Sequence, residues 1–138
     1  MLFIVTPVFN RKDFTCNFLE SLRKQTVRDF KVIIVDDGST DKTSEMITEN
    51  FPEVILLQQK GSLWWSEATN IGVKHAIKMD ATNIITMNND TLLESNLLQE
   101  LLNYSLQFPN NLLMPIGLHH ETDVLIDGGW NINWKTAQ

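Results

Sequence analysis

Three aspartates stand where an apolar run of the sequence gives way to a polar loop. Asp36 and Asp37 directly follow one such run, and Asp90 follows another. A divalent cation can be held by one or two carboxylates when water and the phosphate groups of a substrate complete its coordination. Asn88 and Asn89, next to Asp90, add neutral oxygen donors. These residue types therefore allow metal binding together with a phosphate-bearing ligand.

Each loop also has a purely structural explanation. In the first loop, Asp36 could bind nearby backbone N–H groups while Gly38 makes the turn and residues 39–41 cap the following helix. The second loop, residues 88–91, could be a polar turn before a helix. Adjacent residues of a strand point to opposite sides, so Asp36 and Asp37 are not expected to serve the same ligand atom.

The elements that position these loops follow from the hydrophobic pattern of the chain. Short apolar runs predict strands covered on both faces, and apolar residues three and four positions apart predict helices. The predicted strands cover residues 2–5, 32–35, 54–57 and 84–87, with further strands at 112–118 and 124–126. The predicted helices cover residues 13–25, 41–50, 66–79 and 97–106. Residues 128–138 show no clear period.

Alternating strands and helices predict an α/β fold, with an open, mostly parallel sheet and helices on both faces. We see no domain boundary or internal repeat, so residues 1–138 are expected to form a single domain. In such sheets, ligands bind beyond the carboxyl ends of the strands. The loops expected to form the site are residues 7–11, 36–40, 60–65 and 88–91.

The composition limits the classes of protein to which the chain can belong. Its 138 residues, 43% of them hydrophobic, suit one folded domain rather than a disordered or fibrous chain. A net charge of -6 argues against a partner such as nucleic acid. A single cysteine, Cys16, excludes an intrachain disulfide and suits a reducing compartment. No apolar stretch reaches the roughly 18 residues of a transmembrane segment, so we expect a cytoplasmic protein.

The polar loops and the segments around them together resemble family 2 glycosyltransferases, which are nucleotide-sugar-dependent inverting enzymes of GT-A fold. The resemblance covers residues 2–104, and its parts occur in the family's order and spacing. These parts are VTPVFNR at 5–11, SLRKQT at 21–26, VDDGSTD at 35–41, NIG at 70–72 and MNNDT at 87–91. The NNDT form and the segment LWWS at 63–66 are similar to the branch that includes rhamnosyltransferases.

The resemblance implies a function for the chain. A sugar would pass from a nucleoside diphosphate sugar, of the UDP or dTDP type, to an acceptor hydroxyl with inversion at the anomeric carbon. A divalent cation, Mn²⁺ or Mg²⁺, would bridge the diphosphate and stabilise its negative charge as it leaves. The acceptor would be a saccharide or a lipid-linked saccharide of polysaccharide biosynthesis. The protein would then lie in the cytoplasm, either free or peripheral at the inner face of the membrane.

The resemblance also implies roles for particular residues. Phe9 would stack on the nucleotide base, although it could instead be a core residue. Asp37 would accept a hydrogen bond from N3 of uracil or thymine, while Asp36 would support the ribose or the loop. Trp64 and Trp65 suit the CH groups of a sugar, or they pack in their loop. The implied substrate-binding residues are Pro7, Phe9, Asn10, Asp36, Asp37, Asn88 and Asn89, and the implied metal ligand is Asp90.

Two features depart from the family pattern. Asn88 and Asn89 stand where acid-rich versions of the metal motif carry charge, which puts the affinity for the cation in question. Inverting transfer usually needs a general base, and the family supplies it from a later segment, so we expect that residue beyond Gln138 and an incomplete domain. The carboxylates of the last stretch do not match its position; they are Glu121, Asp123 and Asp127. The alternative is a nonenzymatic nucleotide-sugar-binding module or an inactive, truncated transferase.

Overall fold

A computed structural model of the chain describes residues 1–109, 111–119 and 121–127. Within these residues, the strands are β1 (Leu2–Val8), β2 (Phe30–Asp36), β3 (Ile55–Gln58), β4 (Asn83–Thr86), β5 (Gly117–Leu118) and β6 (Leu125–Asp127). The helices are α1 (Lys12–Arg23), α2 (Thr43–Asn50), α3 (Trp64–Lys78) and α4 (Leu97–Gln107). Residues 128–138, for which the sequence predicts no element, lie outside the described residues.

Four of the strands form one parallel sheet in the order β3-β2-β1-β4. β1 is central, because its Val5 pairs with Ile33 of β2 on one side and with Thr86 of β4 on the other. Each of the four strands is followed along the chain by a helix. The predicted α/β fold, with an open parallel sheet and helices on both faces, is confirmed.

Helix α3 packs directly on one face of the sheet. Val5 and Val35 are fully buried in the core cluster that also contains Ala68 and Ala76 of α3. A Cβ atom at Gly72 would lie 2.4 Å from Cγ1 of Val5 and 3.0 Å from Cγ2 of Val35. Glycine weakens a helix by about 1 kcal/mol relative to alanine, but here its lack of a side chain lets α3 approach the sheet.

Strand β1 is longer than predicted. The sequence predicts its end at Val5, whereas pairing with β2 continues to Val8. The carbonyl of Val5 accepts a hydrogen bond from Met87 N, so the backbone of Pro7, two residues later, faces the same side of β1. β4 pairs with β1 only as far as Val5. The missing N–H of Pro7 therefore lies beyond the end of the β1–β4 ladder, where no strand hydrogen bond is lost. The longer strand carries Val8 to the carboxyl edge of the sheet.

Other boundaries differ from the predicted ones. Helix α1 ends at Arg23, two residues before the predicted end. Helix α3 begins at Trp64 rather than at residue 66, so the prediction that Trp64 and Trp65 lie in a loop is wrong. The strand predicted at residues 112–118 is wrong for most of its length, because only Gly117–Leu118 pair, in antiparallel fashion, with β6. This run contains Pro115, which cannot donate to a strand ladder.

The chain divides into two compact units, Met1–Leu98 and Gln99–Gln138. The first unit contains the parallel sheet, and the second contains the β5 and β6 pair. A single domain over residues 1–138 stays a prediction. Among the residues that the structure describes, no helix has both the length and the apolar character needed to cross a membrane.

Candidate functional site

The loops that follow β1 and β2 are held together at the carboxyl edge of the sheet. Asn10 N donates a hydrogen bond to Ser39 Oγ (2.7 Å), and Asn10 Oδ1 accepts one from Thr40 N (2.9 Å). The N–H of Asp37 donates to the carbonyl of Val8 (2.9 Å). Residues predicted to act together are therefore adjacent, and Asn10 joins the two loops.

Asp36 stabilises the loop to which it belongs. The residue is buried, and its Oδ1 accepts a hydrogen bond from Ser39 N (2.9 Å). Its Oδ2 accepts a second bond from the hydroxyl of Ser44 in α2. Because both carboxylate oxygens bind groups of the chain itself, this geometry supports the loop role of Asp36 rather than the ribose role.

Asp41 caps two helices at once. Its Oδ2 accepts a hydrogen bond from Lys12 N (2.9 Å) at the start of α1, and its Oδ1 accepts from Thr43 N (3.1 Å) at the start of α2. The hydroxyl of Thr43 also donates to Oδ1. Burial acts to raise the pKa of Asp41, but the hydrogen bonds from Thr43 and Lys12 outweigh it and hold this pKa below its ordinary value of 3.8.

We expect Asp41→Ala to lower the free energy of unfolding by about 1–3 kcal/mol at neutral pH, because two helices lose a cap. The folded pKa is depressed, so the carboxylate stabilises the fold above the unfolded pKa and loses this effect as the pH falls through the folded value. Urea unfolding between about pH 7 and pH 2.5 measures the free energy of unfolding of wild type and variant. The difference between these two free energies should become smaller as the pH falls. A difference that stays constant would contradict this, and Asp29→Ala, at an exposed carboxylate, is the control.

Asp37 points away from Asp36, as strand alternation predicts. Its Oδ2 accepts hydrogen bonds from Leu63 N (2.9 Å) and Trp64 N (3.2 Å), at the start of α3. Its Oδ1 is buried and has no hydrogen-bond partner in the described part of the chain. The residue as a whole is only 8% exposed. An unpaired, buried carboxylate oxygen is energetically unfavourable, and a donor from a ligand would relieve it.

Asp37 lies in the wall of a pocket of about 410 Å³ at this edge of the sheet. The side chain of Phe9 is 59% exposed there, which rules out a core position. Trp64 is 84% exposed. Aromatic side chains this exposed, beside a carboxylate, suit a ligand with a flat or apolar face. The residues that line the pocket are Pro7, Val8, Phe9, Asp37, Ser62, Trp64, Trp65 and Ala68.

The backbone that presents Trp64 is strained. Gly61, Ser62 and Trp64 have φ angles of 94°, 76° and 59°. A positive φ is rare for a bulky residue and costs about 1–3 kcal/mol. The bonds from Leu63 N and Trp64 N to Asp37 hold this conformation and start the helix. A helix cap that comes from another loop has no local sequence pattern. The sequence therefore predicts the start of α3 at residue 66, two residues too late.

The loop after β4 contacts helices α1 and α3. Trp65 Nε1 donates to Asn88 Oδ1 (2.8 Å), which ties the pocket to this loop. Asn89 is buried, and its Nδ2 donates to Thr15 Oγ1 of α1 (2.9 Å). Asn88 thus lies beside the pocket, whereas Asn89 anchors the loop to α1.

Asp90 forms an ion pair with Arg11, and the sequence does not predict this pair. Arg11 Nη1 lies 2.9 Å from Asp90 Oδ2, and the two side chains are 58% and 41% exposed. Because 79 residues separate the two partners, no local sequence pattern indicates the pair. The only indication in the sequence is that Arg11 lies in the loop after β1.

The residues around Asp90 fit a cation that binds together with phosphate. Within residues 1–109, 111–119 and 121–127, no three His, Cys, Asp or Glu side chains gather into a metal site. Mg²⁺ and similar ions, however, often bind through one or two carboxylates plus water and substrate phosphates. The side chain of Asp90 is accessible enough to bind such an ion. The contact with Arg11 shows that Oδ2 of Asp90 binds a cationic group.

Several solved structures share the fold of this chain. S. aureus TarS 1–349 superposes with a TM-score of 0.67 at 18% identity, over 87% of this chain and 40% of that one. Crystal structures of TarS 1–349 in complex with UDP and with UDP-GlcNAc match with TM-scores of 0.67 and 0.65. Mannosyltransferase PcManGT from Pyrobaculum calidifontis, in complex with GDP-Man and Mn²⁺, has a TM-score of 0.62 at 20% identity, over 80% of this chain and 32% of that one. The chain therefore has a GT-A-like fold.

Curated relatives match at the level of sequence. Glycosyltransferase GlyG of Streptococcus pneumoniae is 27% identical over 106 residues, which are 73% of this chain and 34% of that protein. An uncharacterized glycosyltransferase of Haemophilus influenzae is 28% identical over 120 residues, or 85% of this chain and 46% of that protein. The chain thus spans about a third to a half of the length of these relatives.

The family match extends over most of the chain. The profile of Glycosyl transferase family 2 covers residues 3–128, which include the parallel sheet and all four loops at its carboxyl edge. We conclude that the chain belongs to glycosyl transferase family 2.

Proposed function

We propose that the chain binds a nucleoside diphosphate sugar in the pocket beside Asp37 and transfers the sugar, with inversion, to an acceptor hydroxyl. The observation that carries this proposal is Asp37, which lies in the wall of an aromatic pocket and whose buried Oδ1 has no hydrogen-bond partner among the described residues. Family membership supports the reaction class, and the complexes of TarS with UDP and UDP-GlcNAc support the ligand class.

The pocket suits a base that carries an N–H donor. An ionised carboxylate only accepts hydrogen bonds, and N3–H of uracil or thymine is such a donor. Phe9 would stack on the flat base, and Pro7 would complete the apolar wall. Asn10 would act by fixing the loop that carries Phe9, since its amide already binds the neighbouring loop. We therefore propose UDP-type or dTDP-type donors.

The diphosphate would lie towards Asp90, at the same edge of the sheet. Asp90 would hold Mn²⁺ or Mg²⁺, and the bound cation would supply charge neutralisation for the departing nucleoside diphosphate. The bond from Trp65 to Asn88 supports this arrangement, because it links the pocket to the loop of Asp90. Asn88 and Asn89 bring no charge, so phosphate oxygens would have to contribute to cation binding. The place of the general base in a later segment stays a prediction.

Turnover of radiolabelled nucleotide sugars by the 138-residue chain, with a panel of saccharide acceptors, tests the proposal. A labelled product whose anomeric configuration, read by NMR, is opposite to that of the donor would support inverting transfer. Donor binding without transfer would support the alternative, which is a nonenzymatic binding module or an inactive, truncated transferase. A chain that is folded but binds no nucleotide sugar would contradict both readings.

We expect Phe9→Ala to weaken UDP binding about fivefold or more, because stacking on an aromatic ring contributes roughly 1–3 kcal/mol per base. Phe108→Ala is the matched control, since Phe108 is also an exposed phenylalanine outside the residues that line the pocket. Calorimetric titration of both folded variants with UDP measures the difference. Equal affinities in the two variants would remove Phe9 from the base site.

A further inference from the structure

We propose that Arg11 occupies the cation position at Asp90 when no metal is bound, and that it moves to the diphosphate when the metal and the nucleotide bind together. This inference rests on the proposed function. Its starting point is the 2.9 Å contact between Arg11 Nη1 and Asp90 Oδ2. A guanidinium at this distance from a carboxylate oxygen competes with a divalent cation for the same oxygen and repels that cation.

The backbone of Arg11 is fixed, although its side chain is exposed. Asn10 and Arg11 both have positive φ angles, 57° and 62°, which is unusual for two consecutive residues other than glycine. The Arg11 carbonyl accepts hydrogen bonds from Thr15 N (3.0 Å) and Thr15 Oγ1 (3.1 Å). The same Oγ1 accepts from Asn89 Nδ2 (2.9 Å), the residue before Asp90. One threonine thus holds the base of the Arg11 side chain beside the loop of Asp90.

The ion pair itself is easily broken. Both side chains are about half exposed, and ion pairs in such surroundings contribute little net stability. Arginine can bind a phosphate group through two parallel hydrogen bonds, whereas the contact observed here joins only Nη1 of Arg11 to Oδ2 of Asp90. Arg11 and Phe9 also belong to the same loop, so a diphosphate attached to a base in the pocket would lie close to this side chain.

The consequence is a preference for the metal and nucleotide as one complex. Without a nucleotide, Arg11 lowers the affinity of Asp90 for the bare cation. With a nucleotide, the guanidinium is drawn to the phosphates and leaves Asp90 to the metal. Removal of the Arg11 side chain should therefore raise the affinity for Mn²⁺ alone and lower the affinity for UDP with Mn²⁺. Loss of a merely structural residue would not change these two affinities in opposite directions.

The test measures Mn²⁺ and UDP binding to Arg11→Gln. Electron paramagnetic resonance of free Mn²⁺, without nucleotide, should show binding to the variant about threefold to tenfold tighter than to wild type. Calorimetry with UDP at saturating Mn²⁺ should show binding about tenfold weaker. Lys12→Gln removes the same charge one residue further on, from a side chain that forms no described ion pair, and should leave both affinities within about twofold.

The outcomes separate this inference from the proposed function. Suppose that the wild-type chain binds UDP with Mn²⁺ but that Arg11→Gln has the same affinity for Mn²⁺ as wild type. This result would overturn the inference and leave the proposed function standing. Wild-type chain that binds neither ligand would contradict the proposed function itself. Arg11→Lys keeps the positive charge and tests the inference even if Arg11→Gln does not fold. It should bind Mn²⁺ alone as weakly as wild type does, and tighter binding by this variant would overturn the inference.

Discussion

Asp37→Asn is expected to weaken UDP binding by about tenfold to a hundredfold, and to raise the affinity for CDP. The amide oxygen of the new side chain would continue to accept the hydrogen bonds from Leu63 N and Trp64 N. Its Nδ2 group would then take the place of the unpaired Oδ1. A donor at this position opposes N3–H of uracil and suits N3 of cytosine, which is an acceptor.

Calorimetric titrations of wild type and Asp37→Asn with UDP and CDP, at the same Mn²⁺ concentration, measure this exchange of preference. Asp29→Asn is the control, because Asp29 is exposed and lies before β2, at the opposite edge of the sheet from the pocket. Circular dichroism establishes that the variant is folded. If a folded Asp37→Asn lost UDP and CDP binding equally, Asp37 would only cap α3 and would not recognise the base.

Asp90→Asn is expected to abolish the increase in UDP affinity that Mn²⁺ produces. The wild-type increase should be on the order of tenfold or more, because a cation between Asp90 and the diphosphate replaces repulsion by attraction. The amide oxygen of the variant can still accept a hydrogen bond from Arg11, so the loop should keep its shape. The ratio of UDP affinities in Mn²⁺ and in chelator, measured for each protein, is the relevant quantity.

Asp13→Asn is the matched control for this ratio, since Asp13 is an exposed carboxylate in the first turn of α1. It should retain the full effect of Mn²⁺. A folded Asp90→Asn protein that keeps the wild-type ratio would show that the cation binds elsewhere, and the metal role of Asp90 would be wrong.

The sequence predicts the sheet correctly because its signals are local. The apolar runs of β1 and β2 are buried on both faces, which removes the polar alternation of an exposed strand. Strand alternation also separates Asp36 from Asp37, and the two residues do point to opposite sides. The predicted membership of family 2 is confirmed, while similarity to the rhamnosyltransferase branch stays a prediction.

The features that the sequence missed depend on contacts between distant loops. Asp41 caps α1 as well as its own helix, and Asp37 caps α3 from another loop. Neither bond leaves a local pattern, so the start of α3 at Trp64 was not predicted. The ion pair between Arg11 and Asp90 likewise appears only when the parallel sheet brings the carboxyl ends of β1 and β4 together.

Calorimetric titration of the wild-type chain with UDP, in Mn²⁺ and in chelator, tests the central claim most directly. We predict saturable binding of one UDP per chain that is tighter by on the order of tenfold in Mn²⁺, with CDP binding much more weakly under the same conditions. Equal affinity for UDP and CDP would contradict recognition of the base by Asp37. No binding of UDP to the folded chain, with or without Mn²⁺, would contradict the account as a whole.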